Sequence, residues 1–314
     1  MSLHARRRLS AAALLVAAAV LVAVLLVSAG PAGSGSSAHA AGGPEASGKS
    51  GTPLKSPELV VPHFRHEPRA GILVDLDSGR VLWHRNARQV LAIASLAKMM
   101  TALLVVEHAG PKEGVLVTAA AEAAPGSRVG VLPLRRRVPL ETLLYGLLLP
   151  SGNDAAIALA QHVGGSVGGF VALMNAKAQS LGLSCTHFAS PDGFDNANRS
   201  CAEDLVALAR ADLAEPRIAR VTGTRAAVLP APIKGGRIWL YNNNPLLRRG
   251  FPGVTGLKTG ETEAAGLCLV ATAERHGVRL VSVLLHSPDL ARQSAALLNA
   301  GFRAESPAAG GRYG

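Results

Sequence analysis

The chain has few aromatic residues: Phe, Trp and Tyr together make up 4% of its 314 residues. An apolar core therefore has to be built from Ala, Val and Leu, and the 48% hydrophobic content allows a substantial one. Few rings are available to stack on bases, and the basic residues behind the net charge of +11 are dispersed. The sequence therefore predicts no nucleic-acid partner. Weak attraction to anionic polymers or lipid headgroups of the cell envelope fits the charge better.

Patterns typical of metal and phosphate sites are also missing. The ten His residues show no paired metal-ligand spacing. The glycine pairs at 164–165 and 168–169 lack the strand-then-helix context that a phosphate-binding loop needs. The sequence therefore predicts neither a metal ion nor a cofactor.

Lysine is scarce beside arginine, and it occurs only at positions 49, 55, 98, 112, 177, 234 and 258. Lys98 lies three residues after Ser95, at the start of an apolar run that ends at Gly110-Pro111. The run predicts a buried helix, so both side chains share the face of its first turn. A buried Lys can act as the base that turns a Ser hydroxyl into a nucleophile, whereas Arg cannot give up its proton.

Taken alone, Ser95 could be a helix N-cap and Lys98 a solvated lysine. Two further motifs favour the nucleophile and its base instead. Ser151-Gly152-Asn153 follows an apolar segment, and Lys258-Thr259-Gly260 lies late in the chain. The order SxxK, SxN, KTG is the signature of penicillin-recognising serine enzymes.

The ends of the chain differ in composition from its body. Residues 1–40 predict an export signal peptide or signal anchor, because Arg6 to Arg8 precede an apolar stretch and Ala38-His39-Ala40 fits a cleavage site. Residues 41–62 predict a flexible linker, 63–303 the catalytic domain and 304–314 a disordered tail. We expect an exported protein that is held at the membrane only if the N-terminal segment stays uncleaved.

Strand-like and helical patterns divide the body into three parts. Strands are predicted at residues 70–75, 81–83, 257–259, 265–273 and 278–286, and helices at 140–163 with a break at 150–153, 170–180, 202–213 and 291–298. The fold class is therefore α+β, with an antiparallel sheet built from both chain ends, flanking helices and an all-helical subdomain. The three motifs lie on separate elements that can meet in one cleft.

The chain resembles the low-molecular-weight serine D-Ala-D-Ala carboxypeptidases, the S11 peptidases, over roughly residues 65–303. Beyond the three motifs, the resemblance is carried by 173–175, 181–183, 186–188, Ser190-Pro191-Asp192-Gly193, 264–266 and 297–302. It implies a β-lactamase/transpeptidase-like fold. Three features depart from relatives: Glu261 follows KTG, Ala94 precedes Ser95 where Pro is common, and no C-terminal β-sandwich domain or amphipathic anchor helix is expected.

The resemblance also implies a role for each motif residue. Ser95 is the expected nucleophile, Lys98 the general base and Ser151 the proton relay to the leaving amine. Asn153 is expected to donate to the substrate amide, while Lys258 and Thr259 bind the terminal carboxylate and Gly260 permits close backbone approach. Arg292 is a candidate second ligand for that carboxylate, with a solvated helical arginine as the alternative.

The three cysteines leave two arrangements open. In an oxidising compartment Cys185 and Cys201 could form a disulfide that closes the loop around Pro191, with Cys268 as a buried thiol. The alternative is three free thiols.

The leading function is removal of the terminal D-alanine from peptidoglycan stem pentapeptides through an acyl-enzyme, with β-lactams as covalent ligands. One alternative is a β-lactamase of the same fold, although no Glu-x-x-Leu-Asn pattern occurs. The other is a non-catalytic penicilloyl sensor or cell-wall scaffold, against which the intact Ser95, Lys98 and Ser151 argue.

Overall fold

Residues 62–305 form an antiparallel sheet flanked by helices in a computed structural model, which describes this part of the chain. The strands are β1 (Ala70–Asp75), β2 (Val81–Arg85), β3 (Leu91–Ala92), β4 (Gly114–Leu116), β5 (Arg137–Pro139), β6 (Arg199–Ser200), β7 (Ala226–Pro230), β8 (Arg237–Tyr241), β9 (Val254–Thr262), β10 (Gly266–Arg275) and β11 (Val278–Leu285). The helices are α1 (Lys98–His108), α2 (Ala119–Glu122), α3 (Leu140–Leu148), α4 (Asn153–Gly164), α5 (Val167–Ser180), α6 (Ala202–Ala214), α7 (Pro216–Thr222), α8 (Pro245–Arg248) and α9 (Leu290–Glu305), and a 3₁₀ helix (Ala94–Ala97) precedes α1.

The five-stranded sheet joins the first and last strands of the described chain in the order β2-β1-β11-β10-β9. Ala70 of β1 lies opposite Leu285 of β11, and every residue of β1 is buried. This burial follows from packing on both sides, because α9 and α6 both contact β1 and β11. The predicted fold class is confirmed.

The helical part surrounds α1, whose residues from Lys98 to Val105 are all buried. Helices α3, α4, α5, α6 and α7 pack against it, so its apolar residues have neighbours on every side. The predicted helix break lies between α3 and α4. Three short strand pairs, β3–β6, β4–β5 and β7–β8, occur between the helices and were not predicted.

Helix α9 differs from the prediction at its end, because it extends to Glu305. Ala304 and Glu305, assigned to the tail, belong to the helix, where Glu305 pairs with Arg80. The predicted export signal, the linker up to residue 61 and the tail from residue 306 lie outside the described residues. Within residues 62–305 no single helix has the length and apolar character of a membrane span. Only α4 and α5 together pass that test, as a pair bent by 82°.

Candidate active site

Ser95 and Lys98 meet at the junction of the 3₁₀ helix and α1. Lys98 Nζ donates to Ser95 Oγ over 2.9 Å, as the three-residue spacing predicts. Ala94 has a φ of 48°, in the left-handed region, where Pro cannot be placed. Strained backbone of this kind is common beside reacting groups.

Lys98 is completely buried, and its hydrogen-bond partners carry no charge. Besides Ser95, its ammonium donates to Asn153 Oδ1 at 2.7 Å and to the main-chain oxygen of Asp192. Burial lowers the pKa of Lys98 to about 7, although the carboxylates of Asp192 and Asp154 oppose the shift. A lysine with this pKa is partly neutral near pH 7 and can accept a proton.

A loop around Asp192 closes over the Ser95–Lys98 pair. Asp192 main-chain oxygen also lies 3.5 Å from Ser95 Oγ, while its carboxylate accepts from Ser190 Oγ and the Phe194 amide. A Cβ at Gly193, whose φ is 78°, would lie 2.0 Å from Ala94 oxygen. The sequence showed the turn but not that its main chain holds the lysine, because a carbonyl contact leaves no residue-type signal.

Ser151 lies on the α3–α4 loop with its backbone in the left-handed region, at φ 66°. Its hydroxyl is buried and has no hydrogen-bond partner in the described part of the chain. It lines the same cleft as Ser95. A buried hydroxyl without a partner is costly unless a ligand supplies one.

Asn153, expected to contact the substrate, is held by the protein on both sides of its amide. Its Oδ1 accepts from Lys98, and its Nδ2 donates to Pro125 oxygen at 2.6 Å. The ammonium requires the amide oxygen and the carbonyl requires the amide nitrogen, so the orientation of the amide is determined. Asn153 is 3% exposed and, like Lys98 and Lys258, is not among the residues that line the cleft. These contacts support a role for Asn153 in positioning Lys98.

Asp154 is a residue whose structural importance the sequence did not indicate. Its carboxylate is fully buried and accepts from the amides of Val129, Gly130 and Ala155 at 2.9–3.0 Å. These bonds hold the 127–130 loop, which places Ser127 on the wall of the cleft.

The KTG residues lie on β9, which borders the cleft. Lys258 is buried, and its Nζ donates to the main-chain oxygen of Thr259 over 2.8 Å. Burial and the nearby Lys98 lower the pKa of Lys258 well below its usual value. A Cβ at Gly260 would lie 2.8 Å from Ile93 oxygen and 3.2 Å from Ser95 nitrogen. The close approach that needs this glycine is therefore to the Ser95 segment.

The cleft between the sheet and the helical part has a volume of about 520 Å³. The residues that line it are Ser95, Ser127, Ser151, Asn243, Pro245, Arg248, Thr259, Gly260, Glu261, Leu267, Pro288, Asp289, Leu290 and Ala291. The three sequence motifs thus converge on one site, whose wall carries four hydroxyl side chains, one arginine and two carboxylates.

A family model described as D-alanyl-D-alanine carboxypeptidase, peptidase S11, matches residues 58–289. The chain belongs to the S11 peptidase family. D-alanyl-D-alanine carboxypeptidase DacB2 of Mycobacterium tuberculosis is 38% identical over 240 residues, 74% of this chain and 81% of that protein. DacF of Bacillus subtilis is 34% identical over 225 residues, which are 70% of this chain but 57% of DacF. The match therefore spans little more than half of that relative.

Solved structures of the S11 type share the fold. A D-alanyl-D-alanine carboxypeptidase from M. tuberculosis superposes with a TM-score of 0.72 at 36% identity, covering 78% of this chain and 94% of that one. The likeness spans the sheet and the helical part together.

Three charged residues lie in or beside the mouth of this S11 cleft, and the sequence had drawn attention to only two of them. Arg292 lies on α9 with its side chain 86% exposed and 3.5 Å from the Asp289 carboxylate, beside the cleft-lining residues but not among them. Arg248, on α8, lines the cleft and was not considered. Glu261 lines it as well and places an acid on β9, directly after the KTG residues.

The loop beside the nucleophile is crosslinked. Cys185 and Cys201 form a disulfide with Cα atoms 5.6 Å apart, at a sequence separation of 16. Cys268 is a buried free thiol on β10, and burial raises its pKa to about 11. The bridge closes the segment that carries Asp192.

Proposed function

We propose that this chain is a serine D-Ala-D-Ala carboxypeptidase that removes the terminal D-alanine from peptidoglycan stem pentapeptides. The observation that carries the proposal is the 2.9 Å contact between Ser95 Oγ and Lys98 Nζ in a member of the S11 family. Lys98 is buried and makes no hydrogen bond to a carboxylate. The relatives DacF and DacB2 are named as D-alanyl-D-alanine carboxypeptidases.

The acylation step uses Lys98 as the base. Neutral Lys98 takes the proton of Ser95, and Oγ attacks the carbonyl carbon of the penultimate D-alanine. The backbone amides of Ser95 and Glu261 stabilise the negative charge on the carbonyl oxygen. When the C–N bond breaks, Ser151 relays a proton to the amine of the leaving D-alanine. Water then hydrolyses the ester on Ser95 and regenerates the hydroxyl.

The substrate carboxylate is bound on the opposite wall of the cleft. Lys258 and Thr259 are its proposed ligands, since an anion beside Lys258 would restore the protonated state that burial disfavours. Arg292 remains a candidate at the rim, and Arg248 joins it because it lines the cleft. We assign Asn153 to holding Lys98 rather than to the substrate amide.

A β-lactam presents a strained amide in place of the D-Ala-D-Ala bond and would acylate the same Ser95. Stem peptides and β-lactams are therefore the proposed partners. The family's action on wall peptides supports a site of action outside the cytoplasm. Cleavage of the export segment after Ala40 stays a prediction.

Mass spectrometry of a peptide that ends in D-Ala-D-Ala, before and after incubation with the protein, tests the proposal. We expect loss of one alanine residue and slow turnover of a bound penicillin. Rapid penicillin hydrolysis without alanine release would favour the β-lactamase. A stable penicilloyl adduct with no peptide turnover would favour the sensor.

A further inference from the structure

The two-stranded ribbon β7–β8 carries an exposed aromatic face. Trp239 and Tyr241 are 60% and 65% exposed, the highest values among the large hydrophobic residues in the described range. Val228 lies opposite Trp239 and Ala226 lies opposite Tyr241, so their side chains share that face. Only five Trp and Tyr occur in the whole chain. Exposure of two on one short ribbon indicates a binding surface.

The stretch of chain that carries the ribbon contains no acidic residue. No Asp or Glu occurs between Glu215 and Glu261. The exposed basic residues in that stretch that form no ion pair with described residues are Arg225, Lys234, Arg237, Arg248 and Arg249. Arg237 is the first residue of β8, two residues before Trp239, and therefore lies at one end of the aromatic face. The surface is therefore suited to an anionic partner.

The ribbon is attached directly to the rim of the cleft. Immediately after β8, the Asn243 amide donates to Leu149 oxygen at 3.0 Å, and its side chain donates to Pro150 oxygen at 3.1 Å, next to Ser151. Asn242 Nδ2 anchors the base of the ribbon on Thr222 and Thr224 oxygens. A polymer lying on the ribbon would thus lead into the cleft.

We propose that the aromatic face of β7–β8 binds the glycan strand to which the stem peptide is attached. This inference rests on the proposed function. Sugar rings present apolar C–H faces that can cover the rings of Trp239 and Tyr241, while their hydroxyl and N-acetyl groups stay in water. Carboxylates of neighbouring stem peptides would meet Arg237 and the other basic groups. The enzyme would therefore prefer polymeric wall material to a free peptide.

A lipid bilayer is the less suitable occupant of this face. Even a whole myristoyl chain gives only marginal membrane binding, and two partly exposed rings with Val228 offer less apolar surface. The position beside the cleft also favours a partner that is continuous with the substrate.

The first experiment measures binding without catalysis. Ser95→Ala protein, and the same protein with Trp239→Ala and Tyr241→Ala added, are sedimented with insoluble peptidoglycan. We expect the added pair to reduce binding about tenfold. As control, Val81→Ala replaces an exposed apolar residue on β2, at the opposite edge of the sheet from β9, and should bind normally. Unchanged binding of the ribbon variant would overturn the proposal.

The second experiment compares two substrates in protein that keeps Ser95. Replacing Trp239 and Tyr241 by Ala should lower kcat/KM about tenfold for D-alanine release from uncrosslinked glycan polymer, and leave a free tripeptide within about twofold. Trp239→Phe should recover part of the loss. An equal loss on both substrates would contradict a glycan role. The role would also be contradicted if the ribbon variant lost binding to phosphatidylglycerol vesicles but still released D-alanine from the polymer at the wild-type rate. If wild type releases no D-alanine, the proposed function fails, while sedimentation still decides the role of the ribbon.

Discussion

At the scale of single residues, the proposed chemistry depends on a lysine that has no hydrogen bond to a carboxylate. Lys98 donates to a hydroxyl, an amide oxygen and a main-chain carbonyl, all of them neutral. A carboxylate contact would keep the ammonium protonated and remove the base. Asp192 lies close by, yet it turns its main-chain oxygen to Lys98 and its side chain to Ser190.

Acylation should therefore depend on pH through Lys98. Because its pKa is lowered to about 7, the neutral form is lost below that pH, and the acylation rate should fall about tenfold per pH unit. Above pH 7 the rate should level. Stopped-flow labelling with a fluorescent penicillin measures it.

Replacing Lys98 by Arg provides the matched control. A guanidinium keeps the positive charge but stays protonated, so Lys98→Arg should be nearly as inactive as Lys98→Ala. If Lys98→Arg retains more than about a tenth of wild-type acylation, the lysine acts through its charge and not as a base.

Glu261 is expected to weaken binding of anionic substrates. Its exposed carboxylate lines the cleft two residues beyond Thr259, a proposed ligand of the substrate carboxylate. Removing this like charge in Glu261→Gln should lower KM a few-fold at low salt, with kcat little changed. Steady-state kinetics at two salt concentrations checks it; a salt-independent effect, or a raised KM, would argue against repulsion.

At the scale of elements, the parts of the site that could be predicted were those marked by residue type. The apolar run after Lys98 indicated a buried helix, and the Pro-Ser-Gly-Asn break indicated the α3–α4 loop. The hydrogen bonds of Asn153 could not be predicted, because its partners Lys98 and Pro125 lie on other segments. The short strand pairs were missed because two or three paired residues give no periodic pattern.

The disulfide should stabilise the loop that holds Asp192. Thiol counting on denatured, unreduced protein should find one reactive cysteine, Cys268. In the chain-entropy model a bridge closing a loop of this length contributes about 3 kcal/mol, so Cys201→Ser should be destabilised by up to that amount. Cys268→Ser serves as control and should leave the bridge intact. Three reactive thiols in exported protein would rule the disulfide out.

At the scale of the whole molecule, the first and last strands of residues 62–305 complete one sheet, and its edge strand β9 faces the helical part across the cleft. The site therefore depends on the global fold. One buried carboxyl group, which does not line the cleft, should lower the stability of that fold at neutral pH. Asp212 on α6 is 1% exposed, and both its oxygens lack a hydrogen-bond partner within residues 62–305.

Asp212→Asn should stabilise the protein at neutral pH. Burial, and then Glu107 and Glu215, raise the pKa of Asp212 well above 3.8 in the folded state. The folded chain then binds a proton that the unfolded chain has lost, so stability falls as pH rises above 3.8. The variant should gain a few degrees in Tm at pH 7 and little at pH 3.5. Calorimetry measures this, with the exposed Asp195→Asn as control; an equal shift at both pH values would contradict the explanation.

The central claim is that Ser95 is the nucleophile of this S11 peptidase, and covalent labelling tests it most directly. The intact protein is incubated with benzylpenicillin, weighed by mass spectrometry and digested to locate the adduct. We predict one penicilloyl group on Ser95, and for Ser95→Ala no adduct and a loss of D-alanine release of at least about 10³-fold. An adduct on another residue, or labelling that persists in Ser95→Ala, would contradict the account.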